Sequence, residues 1–312
     1  MAFAWLNLHV GYGCRHSGAC CASGWPIPVE GDRAADIQAI VDRGGTAGRG
    51  RAWLVAADGA PADVAGALAL NRDGHCVFHG TTGCAVYPAR PTSCAHFPYV
   101  CLIDARGVRV TLSHYCPTAA SMLFEHEGPV AIVEGPSPVP GVDPPEGLDA
   151  RESLPPLRQP GRLMSFDEFS SWEREQVARV DSSFPGFDDL HLFDHARASV
   201  PAPHTWPGRP GELERTWRAL VQPDIAPFAP VIQRYLAARL FGSWAAYLGD
   251  GTNAVLQSVR VAKAVLQVEI IRACGRAARR LDAALLKEAI RQSDLLLVHY
   301  ADPRVLSSGT AP

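Results

Sequence analysis

The chain has 312 residues, of which 47% are hydrophobic and 20% are charged, so it holds enough apolar material for one large core or two smaller ones. Its 29 basic and 32 acidic residues give a formal net charge of −3 at pH 7. This balance argues against binding to nucleic acid or to an anionic membrane surface. The composition therefore predicts a globular protein without a polyanion-binding role.

The first residues, MAFAWLNLHVGYGC, show no basic leader, no sustained apolar run and no small-residue cleavage site. They do not resemble a signal peptide, and no later segment approaches the roughly 18 apolar residues of a membrane span. We therefore expect a cytoplasmic protein without a membrane partner. Structural disulfides are disfavoured in such a reducing compartment, so the nine cysteines need another explanation.

The N-terminal part of the chain is predicted to form a small, loop-rich α+β domain over residues 1–127. Asp32 to Val41 has helical spacing of its apolar residues, and the glycine-rich run Gly44 to Gly50 that follows suits a helix cap and loop. Tyr99 to Tyr115 contains two β-rich runs around a turn at Asp104 to Gly107. This domain holds eight of the nine cysteines.

Prolines dominate the next segment, residues 128–161, and their density excludes helix interiors and central strands. We interpret this segment as a linker or a long surface wrap. A short helix is then predicted over Ser165 to Val180, where Ser165 and Glu168 have the spacing of a capping box. A second proline-rich stretch covers Val200 to Gly211.

The last part of the chain, residues 162–312, is predicted to be mainly helical. Its helical segments are Glu212 to Val221, Val231 to Leu248, Asn253 to Cys274 and Leu281 to Tyr300. Cys274 lies at the end of an apolar helix and is interpreted as a core residue. The predicted fold class is thus α+β, mainly α, with a small cysteine-rich, metal-binding domain followed by a C-terminal helical bundle.

The cysteines form two groups and a final Cys-Pro pair. Thiolates cluster in cytosolic proteins mainly because a metal centre lowers their pKa and holds loops that bury little apolar surface. Neighbouring glycines and prolines let such loops turn sharply enough to direct several sulfurs to one point. The predicted metal ligands are Cys14, Cys20, Cys21, Cys76, Cys84, Cys94 and Cys116.

The identity of the metal stays open at this point. Four thiolates satisfy one tetrahedral zinc ion or one 4Fe–4S cluster, so the set allows two zinc sites or one cluster with additional thiols. Adjacent Cys20 and Cys21 should point in different directions, so we expect them to serve different centres. The nearby histidines are expected to be exposed or to support the ligands rather than to bind metal: His16, His75, His79, His96 and His114.

These motifs resemble the bacterial CxxCxxCC cysteine-cluster proteins, a zinc- or iron-chelating family that includes flagellin lysine-N-methylase. Ser17 stands in place of the second motif cysteine, and Cys101 is a replacement only if the fold brings it close. The matching residues of the first group are Cys14, Cys20, Cys21, Gly24, Trp25 and Ile27. Later matches are Cys76, Cys84, Arg90-Pro91, Cys94, Phe97-Pro98 and Ser113 to Leu123 around Cys116, with looser similarity at Ile232 to Phe241 and Ile290 to His299.

The resemblance implies a metal or iron–sulfur protein that transfers a methyl group from S-adenosylmethionine to a lysine of a protein or peptide substrate. The residues themselves contain no Gly-x-Gly-x-x-Gly turn and no Cys-x3-Cys-x2-Cys spacing, so they identify no methyl-donor site. A base for the substrate lysine has several candidates near the motifs. These are Tyr87, Asp104, His114, Tyr115, Glu125 and Glu127.

Three functions from different classes remain open. The leading hypothesis is a metal-binding, methylase-like enzyme, which should bind S-adenosylmethionine. The second is a non-catalytic zinc- or iron-chelating module whose helical domain docks a partner and ignores that molecule. The third is a thiol redox protein, whose cysteines would oxidise rapidly without stoichiometric metal. The sequence identifies neither the catalytic residues nor the oligomeric state.

Overall fold

The computed structural model describes residues 1–44, 52–57, 59–187, 191–197 and 210–308, and within them the fold is mixed α/β with more helix than strand. The strands are β1 (Phe3–Leu6), β2 (Pro28–Glu30), β3 (Leu54–Val55), β4 (Val64–Leu68), β5 (His79–Gly80), β6 (Gly83–Cys84), β7 (Tyr99–Asp104), β8 (Gly107–Leu112), β9 (Ile132–Glu134), β10 (Gly147–Asp149), β11 (Leu157–Gln159) and β12 (Arg162–Leu163). The α-helices are α1 (Gly31–Asp42), α2 (Thr92–His96), α3 (Pro117–Glu125), α4 (Phe166–Arg179), α5 (His191–Arg197), α6 (Pro210–Thr216), α7 (Ala229–Leu240), α8 (Ala245–Leu248), α9 (Thr252–Ala277), α10 (Ala283–Asp294) and α11 (Pro303–Ser308).

The chain divides into two compact units. The small unit is Gly13–Phe97, and the large unit combines Met1–Tyr12 with Pro98–Pro312. These boundaries differ from the predicted 1–127, 128–161 and 162–312, because β7, β8 and part of the proline-rich segment share one sheet with β1. Most of the glycine-rich loop after Gly44 and of the stretch Val200 to Gly211 lies outside the described residues.

The large unit contains a five-stranded sheet of order β10-β7-β8-β1-β9. The predicted hairpin is confirmed: β7 and β8 pair antiparallel, and Asp104 lies opposite Gly107 at the turn. The proline-rich segment supplies β9 and β10, which are the two edge strands. This position fits its composition, because proline cannot donate to a hydrogen-bonded ladder and is tolerated at sheet edges.

The helices of the large unit build its main core. The capping box predicted at Ser165 is confirmed at the start of α4, where the Ser165 side chain accepts from the Glu168 N–H. Helix α9 packs against α7 and α10, and Cys274 on α9 is fully buried in this core, as predicted. Of the helices described, none combines the length and hydropathy that crossing a membrane requires.

One predicted helix is interrupted. The expectation of a continuous helix over Val231 to Leu248 is wrong, because α7 ends at Leu240 and α8 begins at Ala245. Gly242 lies between them with a φ of +61°, a left-handed conformation that ends an α-helix, and its N–H donates to Glu173 Oε1 at 3.1 Å. The last predicted helix also changes character, since α10 gives way to a π-helical segment over Leu295–Tyr300.

The small unit has its own sheet, of order β2-β4-β3, and α1 packs on it. Helix α1 confirms the helix predicted over Asp32 to Val41. A short 3-10 turn, Cys20–Ala22, precedes the sheet, and α2 follows it. The buried core of this unit is small, and within the described residues it comprises Val29, Ile37, Trp53, Leu68, Cys76, Phe78, Val86 and Ala89.

Candidate metal centre

A cavity of about 50 Å³ in the small unit collects five of the predicted cysteine ligands. They come from segments that are distant in sequence: the N-terminal loop with its 3-10 turn, strand β6 and helix α2. The five are Cys14, Cys20, Cys21, Cys84 and Cys94, and the wall also contains His16, Gly18, His79, Gly83, Tyr87 and Arg90. The fold thus concentrates soft sulfur donors at one place.

The adjacent cysteines Cys20 and Cys21 contribute to the same cavity. Their Sγ atoms are 3.9 Å apart, so the expectation that the two side chains point in different directions is wrong. Both lie on the 3-10 turn, where neighbouring side chains diverge by about a third of a turn rather than to opposite faces as in a strand. Thiolates bound to one tetrahedral zinc ion, with zinc–sulfur distances of about 2.3 Å, stand about 3.8 Å apart. The observed separation fits such a pair.

The thiols of the cavity differ in acidity. The hydrogen bond with Cys21 lowers the pKa of Cys20 to about 7, and the positive charge of Arg90 acts in the same direction. That hydrogen bond, together with burial, raises the pKa of Cys21, and burial raises the pKa of Cys94 to about 12. A buried thiol ionises only when a positive charge offsets its lost hydration. A bound metal ion would supply that charge.

Two glycines make room for the two histidines of the cavity wall. Gly18 has a φ of +74°, and a Cβ there would overlap the His79 imidazole. Gly83 has a φ of +107°, and a Cβ there would lie 2.9 Å from His16 Nδ1. His16 in turn packs edge-on against Tyr87, with ring centroids 4.7 Å apart. The imidazoles are therefore held against the cavity by backbone that only glycine adopts readily.

Cys14 and Cys76 mark the two extremes of exposure among the cysteines of this unit. Cys14 is exposed, and its Sγ accepts a hydrogen bond of 3.4 Å from the His16 N–H. Cys76 is buried in the core rather than in the cavity wall, but its N–H donates to the Cys21 carbonyl at 2.8 Å. Cys76 is also close enough to raise the pKa of Cys21. Cys76 therefore lies next to the cavity without forming part of its wall.

The remaining cysteines of the resemblance lie in the large unit. Cys116 is buried at the start of α3, with its Sγ 3.5 Å from the Tyr12 hydroxyl. Cys101 is fully buried in β7, and burial raises its pKa to about 12. Ser17, at the second motif position, is exposed and does not line the cavity.

The donor set fits a thiolate metal centre in its chemistry. Clustered thiols and hydrogen bonds to sulfur are typical of sites that hold zinc or an iron–sulfur cluster, and the cavity has five thiols and the His16 N–H that donates to Cys14 Sγ. The side chains as placed do not form a finished coordination shell: across the described part of the chain, no three His, Cys, Asp or Glu side chains are arranged to hold a metal ion. Coordination would therefore require these side chains to move closer together.

A buried polar network in the large unit was not predicted from the sequence. Asp294 accepts hydrogen bonds from His114 Nδ1 at 2.9 Å and from the Tyr235 hydroxyl at 2.9 Å. His114 Nε2 lies 3.2 Å from His9 Nε2, and all four side chains are fully buried. The signal for it was Asp294 itself, an acidic residue beside the apolar run Leu295 to Val298.

Two of the residues proposed as catalytic bases, His114 and Asp104, lie in this network and at the hairpin turn. His114 is enclosed by its hydrogen bonds to Asp294 and His9, and Asp104 is 2% exposed and bonded to Arg106 Nη2 at 2.7 Å. Both groups are saturated by partners within the large unit. Neither is placed to take a proton from an external lysine.

No family model matches the chain, and no curated protein or solved structure shows significant similarity to it. The resemblance to the CxxCxxCC family therefore rests on the residues of the motifs alone.

Proposed function

We propose that the small unit binds a transition metal, as a zinc ion or an iron–sulfur cluster, through cysteine thiolates. The observation that carries this proposal is the convergence of five cysteines from three chain segments on one cavity. Thiolate is the preferred ligand of both centres, and four of the five thiols would complete either one. The candidate ligands are Cys14, Cys20, Cys21, Cys84 and Cys94.

The size of the hydrophobic core supports a structural contribution from the metal. The core of the small unit comprises few residues for its length, and Cys21, Cys84 and Cys94 pack against that core. Small units of this kind commonly depend on a metal or on disulfides for stability. Ligands that join the N-terminal loop, β6 and α2 would convert metal-binding free energy into folding free energy.

Methyl transfer is the activity that we propose on the resemblance alone. A direct displacement from S-adenosylmethionine to a lysine needs no redox centre, so a metal in the small unit would act as a scaffold in that reaction. The alternative is a non-catalytic chelating protein. Titration of the metal-loaded protein with S-adenosylmethionine separates the two, because only the methylase requires saturable binding.

Metal analysis tests the metal centre directly. Protein purified without oxygen should contain stoichiometric zinc, or iron with sulfide and a broad absorption band near 400 nm, as expected for a thiolate-bound cluster. We expect Cys84→Ser and Cys94→Ser to lose most of the metal and to lower the melting temperature. Cys116→Ser should retain the metal, since Cys116 does not line the cavity.

The variants also define the result that would overturn the proposal. Full metal content and unchanged melting in both Cys84→Ser and Cys94→Ser would exclude a thiolate centre in the cavity. Loss of metal in Cys116→Ser alone would instead assign the ligand role to Cys116, as the sequence resemblance implies. Rapid thiol oxidation in protein that binds neither zinc nor iron would favour the redox alternative.

A further inference from the structure

A second cavity, of about 100 Å³, lies within the large unit. It is formed by the C-terminal end of α7, the break that follows it, α9, the π-helical segment Leu295–Tyr300 and α11. π-Helical turns inside helices occur frequently at functional sites. Most of the wall is apolar and includes Val100, Phe241, Trp244, Leu297, Val298 and Leu306.

Arg239 is the charged residue of this wall, and its guanidinium is incompletely satisfied. Its Nε is buried and has no hydrogen-bond partner. Its Nη1 is 3.8 Å from Asp294 Oδ1, which is an ion pair but too long for a hydrogen bond. The side chain is only 19% exposed, so water compensates for little of this deficit.

Asp294 does not supply the missing acceptor for Arg239, because its oxygens accept hydrogen bonds from other donors. Oδ2 accepts from His114 Nδ1 and the His114 N–H, and Oδ1 accepts from the Tyr235 hydroxyl. A buried guanidinium with an unpaired donor costs free energy, and such a group in a native structure requires an explanation, a bound ligand among them. The planar fork of arginine is matched by a carboxylate, which accepts two parallel hydrogen bonds.

The polar atoms of the wall are few and partly engaged. The Thr111 hydroxyl donates to the Ala238 carbonyl, and the Ser258 hydroxyl donates to the Val255 carbonyl. The cavity therefore offers one cationic group and an otherwise mainly apolar surface. This arrangement, a polar anchor within an apolar wall, is typical of sites for small organic ligands.

We propose that this cavity binds a small aliphatic monocarboxylate, with the carboxylate on Arg239 and the chain against the apolar wall. Its volume limits the ligand. An apolar cavity of about 150 Å³ accepts benzene, which has six non-hydrogen atoms, so a cavity of about 100 Å³ suits a ligand of about four or five such atoms, the size of acetate or propionate. Propionate would cover more of the apolar wall than acetate, and chains of about five carbons or more would not fit.

The test is a titration of the full chain with straight-chain carboxylates from acetate to octanoate, measured by calorimetry and by ligand-observed NMR. We expect saturable binding of one molecule per chain, strongest for propionate, and no binding of propionamide, which has the same shape without the charge. Arg239→Met should weaken propionate binding by about tenfold or more, the effect of losing a charged hydrogen bond in a buried site.

Two further variants keep the test independent of folding defects. Ala245→Leu adds volume at a buried wall position that has no part in the Arg239 and Asp294 pair, and it should abolish binding with little change in melting. Arg234→Met is the matched control, since Arg234 lies on the same helix and donates to the Leu123 carbonyl. It should bind propionate as the wild type does. The proposal fails if no carboxylate of the series binds, or if propionate binding survives in both Arg239→Met and Ala245→Leu.

Discussion

Gly18 and Gly83 place two histidines against the cysteine cavity because neither glycine has a Cβ. The contact at Gly18 yields a sharp prediction. Gly18→Ala adds a methyl group that overlaps the His79 imidazole at a φ of +74°. We expect it to lower the stability of the small unit by about 3 kcal/mol, from left-handed strain and overpacking together. Gly18→Ala should also reduce the amount of metal that the purified protein retains.

Gly24 supplies the matched control for this substitution. Its φ of +72° is nearly the same, but a Cβ there would meet only the Gly74 carbonyl, at 3.9 Å. Gly24→Ala should therefore cost only the backbone strain, about 1 kcal/mol, and leave the metal content unchanged. Chemical denaturation with metal analysis of both variants measures the difference. Equal losses in the two variants would show that the contact with His79 has no effect.

At the scale of elements, Glu173 on α4 connects three parts of the large unit. Its Oε2 accepts from Arg106 Nη1 of the β7–β8 turn at 3.1 Å, and its Oε1 accepts from the N–H of Gly242, after α7. Arg106 also pairs with Asp104, and its guanidinium stacks over the Phe169 ring. These side chains are nearly fully buried, so the charges depend on one another rather than on water.

Removal of the Glu173 carboxylate should therefore lower the stability of the large unit. We expect Glu173→Ala to reduce the free energy of unfolding by about 3 kcal/mol or more, because it leaves a buried charge with one partner fewer. Glu175→Ala on the same helix should cost about 0.5 kcal/mol or less, since its pair with Arg179 is exposed. Urea denaturation of both variants is the measurement. Similar losses in the two variants would show that Glu173 makes no special contribution.

At the scale of the whole molecule, buried histidines couple the stability of the large unit to pH. Burial, aided by the neighbouring His114, lowers the pKa of His9 well below its usual value, and burial lowers the pKa of His299 to about 4. Below the usual histidine pKa of about 6.5, the unfolded chain therefore binds protons that the folded unit does not. Stability should fall as the pH decreases from 7 towards 4.

The expected loss at pH 5 is about 2 kcal/mol for each of His9 and His299. Asp294 affects stability in a different pH range. Burial alone would raise its pKa, but hydrogen bonds from His114 and the charge of Arg239 lower it to about 2. Its contribution is present above about pH 4 and is lost only as the pH falls towards 2. His9→Gln should flatten the decline in urea midpoint between pH 7 and pH 5. An unchanged slope in this variant would contradict the prediction.

Local patterns in the sequence determined much of the secondary structure. The capping box at Ser165, the helix over Asp32 to Val41 and the hairpin at Asp104 to Gly107 all follow from interactions between residues a few positions apart. The density of prolines likewise excluded central strands from residues 128–161, which contribute only edge strands to the five-stranded sheet. The clustering of cysteines in the first part of the chain indicated a candidate site in the same way.

Only the tertiary structure decided which of these residues meet. It placed five cysteines around one cavity and Cys116 in the other unit, and it ended α7 where the N–H of Gly242 meets Glu173, a residue 69 positions away. It also assembled His9, His114 and Asp294, whose separate places in the sequence give no sign of contact. Helix caps and turns are local in sequence, whereas cavities, buried ion pairs and hydrogen-bond networks depend on packing between distant segments.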